Sequence, residues 1–307
     1  MSLPEFFIIG APGAGTTALH AALAMHPDLH LPRVKEPRYF LSDGRPPTRD
    51  LGPGDNAAAS EWTWTRAEYE ALFASAPAGA LRGEATPYYL SDRSALERIR
   101  NAVPTAKLVT VLRNPVDRAY SNWNRQWSDT YETRDFFDAL AAEEDRAVKG
   151  WGRSWRYLGL GRYGEQIDHV LNLFPREQLH VVRYRDMVED PAATIEGVCN
   201  FLGVAGDVVT RIPPVQVSIF APRPSNRLTG WARRFGPAGR NGNAGVDPPQ
   251  RPELTHLERR SLVAYFSDDI RKLEELLGRS FFDWFSDDGP GTFSRRRRRI
   301  ALTRRVG

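Results

Sequence analysis

The sequence predicts an α/β protein with a mainly parallel central sheet and helices on both faces. Three observations say so. A short apolar run at residues 6–9 passes straight into a glycine-bearing turn and a helix. A second strand, turn and helix follow at residues 107–123. Between and after them, strand and helix patterns alternate through most of the 307 residues. One domain over residues 1–290 is expected, followed by a basic tail over 291–307.

Phe6, Phe7, Ile8 and Ile9 are β-branched or aromatic without alternation, as in an inner parallel strand covered on both sides. Gly10, Gly13 and Gly15 then allow a sharp turn. Thr16 and Thr17 are expected to cap a helix with Leu19 and Leu23 on one face, stopped near His26 by Pro27. Such a unit points unpaired backbone N–H groups and the positive helix end at whatever anion occupies the turn, a P-loop-like phosphate cradle. The plain alternative is a tight βα turn without a ligand. Gly10 and Gly15 have the spacing of G-x-x-x-x-G-K-[ST], but position 16 is Thr where that motif needs Lys, which counts against ATP or GTP hydrolysis.

Prolines at 27, 32 and 37 make residues 26–40 an extended loop, which carries Arg33, Lys35, Glu36 and Arg38 beside Tyr39 and Phe40. From composition alone, Glu36 is a surface carboxylate paired with Lys35 or Arg38. Residues 42–65, rich in Pro, Gly, Asp and Ala, read as a loop. Helices are expected over about 66–75 and from about 91 to 102, the latter signalled by Ser94 and Glu97 in capping-box spacing and ended by Pro104. Residues 107–112 form a strand; Asn114 caps the next helix, Pro115 fits its first position and Asp117 complements its dipole. Arg113 therefore falls at the carboxyl end of a strand, the edge where open α/β sheets bind ligands. Residues 128–160 are a charged, aromatic insertion with Trp151 and Trp155 close to Arg153 and Arg156. Ile167, Val170, Leu171 and Phe174 have helical spacing, residues 179–184 make a buried strand, and an amphipathic helix ends at Gly203. A last helix over about 253–277 has Thr255 and Glu258 as capping box, Gly278 as stop, and Leu257, Phe266, Ile270, Leu273 and Leu277 as core face.

With 41% hydrophobic residues the chain can bury a full core. The single cysteine, Cys199, excludes an internal disulfide and a cysteine-rich metal site, and its apolar helical setting reads as core. No apolar run reaches membrane-spanning length and no leader precedes the first strand, so the expected location is the cytoplasm. Net charge is +4, unevenly placed: Arg295, Arg296, Arg297, Arg298 and Arg299 are consecutive, with Arg304 and Arg305 beyond. Such a tail suits a solvated end or peripheral contact with an anionic membrane surface or acceptor. No nucleic-acid fold signature accompanies it.

FIIGAPGAGTTAL resembles the 5′-phosphosulfate loop of sulfotransferases that use 3′-phosphoadenosine 5′-phosphosulfate (PAPS), where a strand runs into G-x-x-K-x-G-T-T/S. The family's lysine falls on Gly13. The resemblance implies that the N–H groups of Gly13, Ala14, Gly15, Thr16, Thr17 and Ala18, with the threonine side chains, hold the 5′-phosphosulfate. KEPRYF resembles the family's K-E-P-x-Y-F stretch, which makes Glu36 the general base. RGEATPYYLSD resembles G-E-x-[ST]-P-x-Y, with Ala85 where some relatives carry Lys. RNPVDRAYS resembles the 3′-phosphate motif R-[DN]-P-x-[DE]-R-x-x-S, assigning Arg113 and Ser121 to that phosphate and leaving Arg118 to a structural ion pair or the sheet edge. Trp62 and Trp64 either line an acceptor groove or pack under the loop. Arg223 or Arg227 belongs either to a late loop over the nucleotide or to a surface loop.

What the resemblance implies is sulfuryl transfer from PAPS to a hydroxyl, less favourably an amine, of a carbohydrate, glycolipid or small metabolite, releasing 3′,5′-ADP without a metal. Arg33, Lys35 or Arg38 folding back toward Gly13 would restore the missing cation. The alternative function is a catalytically silent nucleotide-binding protein that keeps the fold.

Overall fold

The computed structural model describes residues 3–45, 52–55, 62–213 and 254–286. Its five strands are all parallel: β1 (Phe6–Gly10), β2 (Leu29–His30), β3 (Leu81–Ala85), β4 (Lys107–Leu112) and β5 (Leu179–Arg183), in the spatial order β2-β3-β1-β4-β5. The continuous apolar run of β1 places it in the middle, with every residue buried. Its register sets Ile8 opposite Ala85 on one side and Gly10 opposite Thr110 on the other.

The helices are α1 (Thr16–Leu23), α2 (Arg66–Ala71), α3 (Arg93–Ala102), α4 (Pro115–Ser128), α5 (Phe136–Ala141), α6 (Glu143–Val148), α7 (Tyr163–Leu173), α8 (Tyr184–Glu189), α9 (Pro191–Leu202) and α10 (His256–Leu277). Seven of them pack in two groups, α3, α4, α7 and α10 together and α1 with α8 and α9. Right-handed crossovers moving in opposite directions along the sheet cover its two faces in this way.

Local signals set several boundaries as expected. Asn114 Oδ1 accepts from the N–H of Val116 at 3.0 Å with Pro115 first in α4. Thr255 and Glu258 form a reciprocal capping box, and Gly203 and Gly278 end their helices in the left-handed region. Cys199 is buried, as read. Three expectations need correction. Thr16 and Thr17 do not cap α1; they are its first two residues, and Gly15 at φ 92° occupies the cap position without a side-chain bond. The cap of α3 is Asp92, whose carboxylate takes the Ala95 N–H at 2.8 Å, two residues before the Ser94 and Glu97 pair. Leu257 is 75% exposed, and the core face of α10 runs through Leu262, Val263, Phe266, Ile270 and Leu273.

The insertion folds around a cluster of its own. Arg146 lies 4.8 Å from the Trp151 ring and 5.0 Å from Trp155, and is held by Glu132 at 2.7 Å. The Trp155 indole donates to Asp55 at 3.1 Å. These indoles hold the insertion together. No helix among the described residues is long and apolar enough to cross a membrane, and none of these residues gather into a group able to hold a metal ion. Arg223, Arg227 and the arginines 295–299 lie outside the described residues.

Candidate active site

In this strand order the chain leaves β1 toward β2 and β3 and leaves β4 toward β5. The two connections diverge, and a crevice opens at the carboxyl ends of β1 and β4, the usual ligand position in an open sheet. Both glycine turn and arginine motif rim it.

On the β1 side, residues 10–17 make the turn. Ala14 N–H bonds back to Ala11 at 3.2 Å and Ala18 N–H to Gly15 at 3.0 Å, so these two amides are already engaged. No backbone acceptor among the described residues takes the N–H of Gly13, Gly15, Thr16 or Thr17. Four donors at the positive end of α1 remain for an anion, narrowing the six expected from sequence. Gly15 has to be glycine: besides its positive φ, an added Cβ would come within 2.5 Å of the Met187 side chain. Gly13, at φ 77°, is exposed at the tip.

Across the crevice, Arg113 Nη1 donates to the Gly13 carbonyl at 3.2 Å. The guanidinium lies 4.9 Å from the Tyr184 ring, a cation–π contact that fixes its plane. Asp117 is paired with Arg259 at 2.8 Å, which ties the start of α4 to α10. Ser121 is half-buried, two turns along α4 from Arg113. The two motifs assigned to opposite ends of one nucleotide therefore meet.

The loop carrying Glu36 is anchored at the next strand. Glu36 N–H donates to the Ala85 carbonyl at 3.0 Å, Arg38 N–H to the Thr86 hydroxyl at 3.3 Å, and Phe40 N–H to the Tyr89 hydroxyl at 3.2 Å. Glu36 and Arg38, flanking the buried Pro37, adopt φ 62° and 59°, a left-handed backbone that side chains seldom take and that clusters at functional loops. Lys35 Nζ lies 2.6 Å from one Glu36 carboxylate oxygen and Arg38 Nη2 3.2 Å from the other. Burial resists ionisation of Glu36, but the Lys35 and Arg38 charges and hydrogen bonds outweigh it and hold the carboxyl below the usual range. The Arg38 guanidinium lies 5.8 Å from the centre of the Trp62 ring, so Trp62 backs the ion cluster. His20 on α1 is kept neutral, its pKa lowered to about 4 by burial and then by Lys35, which puts the Lys35 charge near the helix behind the turn.

Lys35 and Arg38 both contact the half-buried Glu36 carboxylate, one on each oxygen, and so clamp it. Arg33 is exposed. Arg118 also departs from expectation: fully buried, it makes no ion pair among the described residues, and one nitrogen, Nη2, donates to the Tyr157 carbonyl. Its Cγ is 3.6 Å from where a Cβ on Gly13 would lie.

Sequence reasoning also passed over Glu84, paired in register with Phe7 and fully buried. Burial raises its pKa to about 8; the Tyr89 and Tyr69 hydroxyls pull it down and Glu36 pushes it further up. A charged residue in the middle of an inner strand was the available signal.

An α/β protein with an open parallel sheet, a glycine turn offering free amides after β1 and a clamped carboxylate held at the end of β3 is the class that this geometry defines. Within it the chain belongs to the sulfotransferase family, whose model matches residues 4–207. It is 31% identical over 201 residues to heparan sulfate glucosamine 3-O-sulfotransferase 6 of Homo sapiens, a match covering 66% of this chain and 52% of that one. To heparan sulfate glucosamine 3-O-sulfotransferase 3B1 of Homo sapiens it is 30% identical over 207 residues, covering 66% and 46%. The chain spans about half the length of these curated relatives. The crystal structure of a sulfotransferase from Alicyclobacillus acidocaldarius superposes with a TM-score of 0.76 at 30% identity, covering 93% of this chain and all of that one.

Proposed function

We propose that the protein transfers a sulfuryl group from PAPS to a hydroxyl of a carbohydrate, glycolipid or small metabolite and releases 3′,5′-ADP. The observation that carries this reading is the spatial order at three adjacent strand ends. Glu36 is tied to the end of β3, the anion turn follows β1, and Arg113 and Ser121 follow β4. A donor lying across β1 and β4 would place its 3′-phosphate on Arg113 and Ser121. Its 5′-phosphosulfate would lie on the free amides of Gly13, Gly15, Thr16 and Thr17, with the sulfur facing Glu36.

The chemistry is in-line displacement. As the acceptor oxygen bonds to sulfur, the bond from sulfur to the bridging phosphate oxygen breaks and 3′,5′-ADP leaves with the electron pair. The acceptor proton passes to a Glu36 carboxylate oxygen. Lys35 and Arg38 keep that carboxylate ionised and aimed, while leaving lone pairs for a third partner. The turn amides take up charge developing on the departing phosphate.

A second reading, nucleotide binding without turnover, draws on Gly13, because residues 10–17 contain no cation of their own. Two measurements separate them. Calorimetry should show 3′,5′-ADP binding far more tightly than ATP; equal affinity would remove both readings. Incubation with sulfate-labelled PAPS and a panel of carbohydrate and alcohol acceptors should then give a labelled product. No product from the parent or from Gly13→Lys would leave only the silent reading.

A further inference from the structure

Among the described residues Arg118 is the one fully buried arginine, it lies beside the anion turn, and the sequence assigned it no part in chemistry. Its stem runs beneath the turn, 3.6 Å from the position that a Cβ at Gly13 would occupy, with the Arg118 carbonyl 4.0 Å from the same point. A lysine at position 13 would therefore start its path alongside the Arg118 side chain. Of the three guanidinium nitrogens, Nη2 donates to the Tyr157 carbonyl, while Nε and Nη1 are buried without a hydrogen-bond partner. A buried, unneutralised guanidinium is costly, and such a group calls for an anion.

Among the described residues no neutralising partner is in contact. Glu143, the acid whose charge Arg118 feels, spends its oxygens on the N–H groups of Leu158 at 2.6 Å and Gly159 at 2.9 Å. Tyr163, with its own hydroxyl unpartnered, is an un-ionised phenol, its pKa raised by burial to about 12 against the pull of Arg118. Tyr88 lies between these charges: burial and Glu36 raise its pKa, while Arg38, Arg125 and Arg118 lower it. Arg113, 3.2 Å from the Gly13 carbonyl, approaches the same glycine from the crevice side.

We infer that Arg118 is a positioning residue for the donor, supplying from beneath the turn the positive charge that Gly13 leaves out and so favouring the 5′-phosphate of the bound nucleotide. This rests on the proposed PAPS site. Because low-polarity surroundings screen a buried charge weakly, Arg118 can act on an anion across the turn without touching it. Burial also explains how the loop tip can lack a cation: the charge belongs to α4 and is set by tertiary packing.

The test isolates the 5′-phosphate by comparing 3′,5′-ADP with adenosine 3′-phosphate, which lacks it. The ratio of their dissociation constants reports what the turn contributes, and a merely structural role would lower both affinities together. Arg118→Gln keeps an N–H donor for Tyr157 and removes the charge; Arg118→Lys keeps the charge. The expected result is that Gln lowers the ratio by about 10-fold, Lys by less than about 3-fold, and Gly13→Lys added to Arg118→Gln restores it. An unchanged ratio in a folded Arg118→Gln, or no restoration by Gly13→Lys, would overturn the inference while leaving the PAPS reading intact. Failure of the parent to bind 3′,5′-ADP would instead overturn that reading and this inference with it. If Arg118→Gln does not fold, Arg118→Met, which fills a similar volume without the charge, takes its place with the same expected fall in the ratio. A parent ratio that collapses between about 0.05 and 0.5 M salt would also overturn the inference, since exposed cations would then carry the effect.

Discussion

The loop at Glu36 and the turn at Gly13 lie at neighbouring strand ends yet handle charge in opposite ways. Around Glu36, two cations contact one carboxylate, and three backbone N–H groups of the loop are held by the Ala85 carbonyl at the end of β3 and by the Thr86 and Tyr89 hydroxyls just beyond it. In residues 10–17 no side chain is charged, and attraction for an anion comes from amides, a helix end and arginines borrowed from α4 and the end of β4. On the proposed reading the acceptor side is thus organised by local ion pairing, and the donor side by backbone geometry and distant elements. Substitutions should accordingly damage chemistry at the first and ligand affinity at the second.

The largest effect is expected at the base. Glu36→Gln should lower transfer by about 10²- to 10⁴-fold while 3′,5′-ADP affinity stays within about 2-fold, and a Gln variant as fast as the parent would end the assignment. Next comes the donor side. Arg113→Ala should weaken 3′,5′-ADP by roughly 10- to 150-fold, the worth of a charged hydrogen bond, without weakening ATP comparably. Ser121→Ala should cost only about 2- to 10-fold. Calorimetry reads both, and equal losses for the two nucleotides would show that Arg113 does not read the 3′-phosphate.

Acidity sharpens the comparison. Glu36 is held below its ordinary value, so its carboxylate is present above that value and is lost as pH falls through the depressed one. The acid limb of the rate profile should therefore lie below about pH 4.5, and Lys35→Ala should move it upward. A limb near neutrality would contradict the clamp. The smallest effect concerns stability. Glu84 keeps its proton in the folded protein up to about pH 8 but would lose it near 4.5 when unfolded, so its contribution falls as pH rises between those values. Glu84→Gln should flatten that decline, worth on the order of a few kcal/mol at most, and thermal melts from pH 5 to 9 would reveal it.

How much was legible depended on the range of the interaction involved. Strand β1, the glycine turn, and the Asn114 and Thr255 caps follow from neighbours a few residues apart, and the sequence showed them. The cap at Asp92 was missed because Ser94 and Glu97 offered the same spacing two residues later, and only the chain's exit from the 3₁₀ turn at Pro87–Ser91 selects between them. Leu257 was misplaced because periodicity finds a stripe and does not show where the stripe leaves the core. Glu36, Arg113 and Ser121 could be named from motif residues, yet their shared rim could not.

The sequence by itself determined β1, β4, most of β5 and the longer amphipathic helices, and which residue types can hold phosphate or accept a proton, since those depend on local backbone preference and chemistry; it did not show β2, β3 or the short helix α8. Tertiary structure alone decided that β4 lies against β1 although two strands intervene along the chain, that Lys35 and Arg38 turn to Glu36, and that Arg118 is sealed beneath Gly13. Strand order and burial are set by the summed packing of residues a hundred positions apart, and no local pattern encodes that sum.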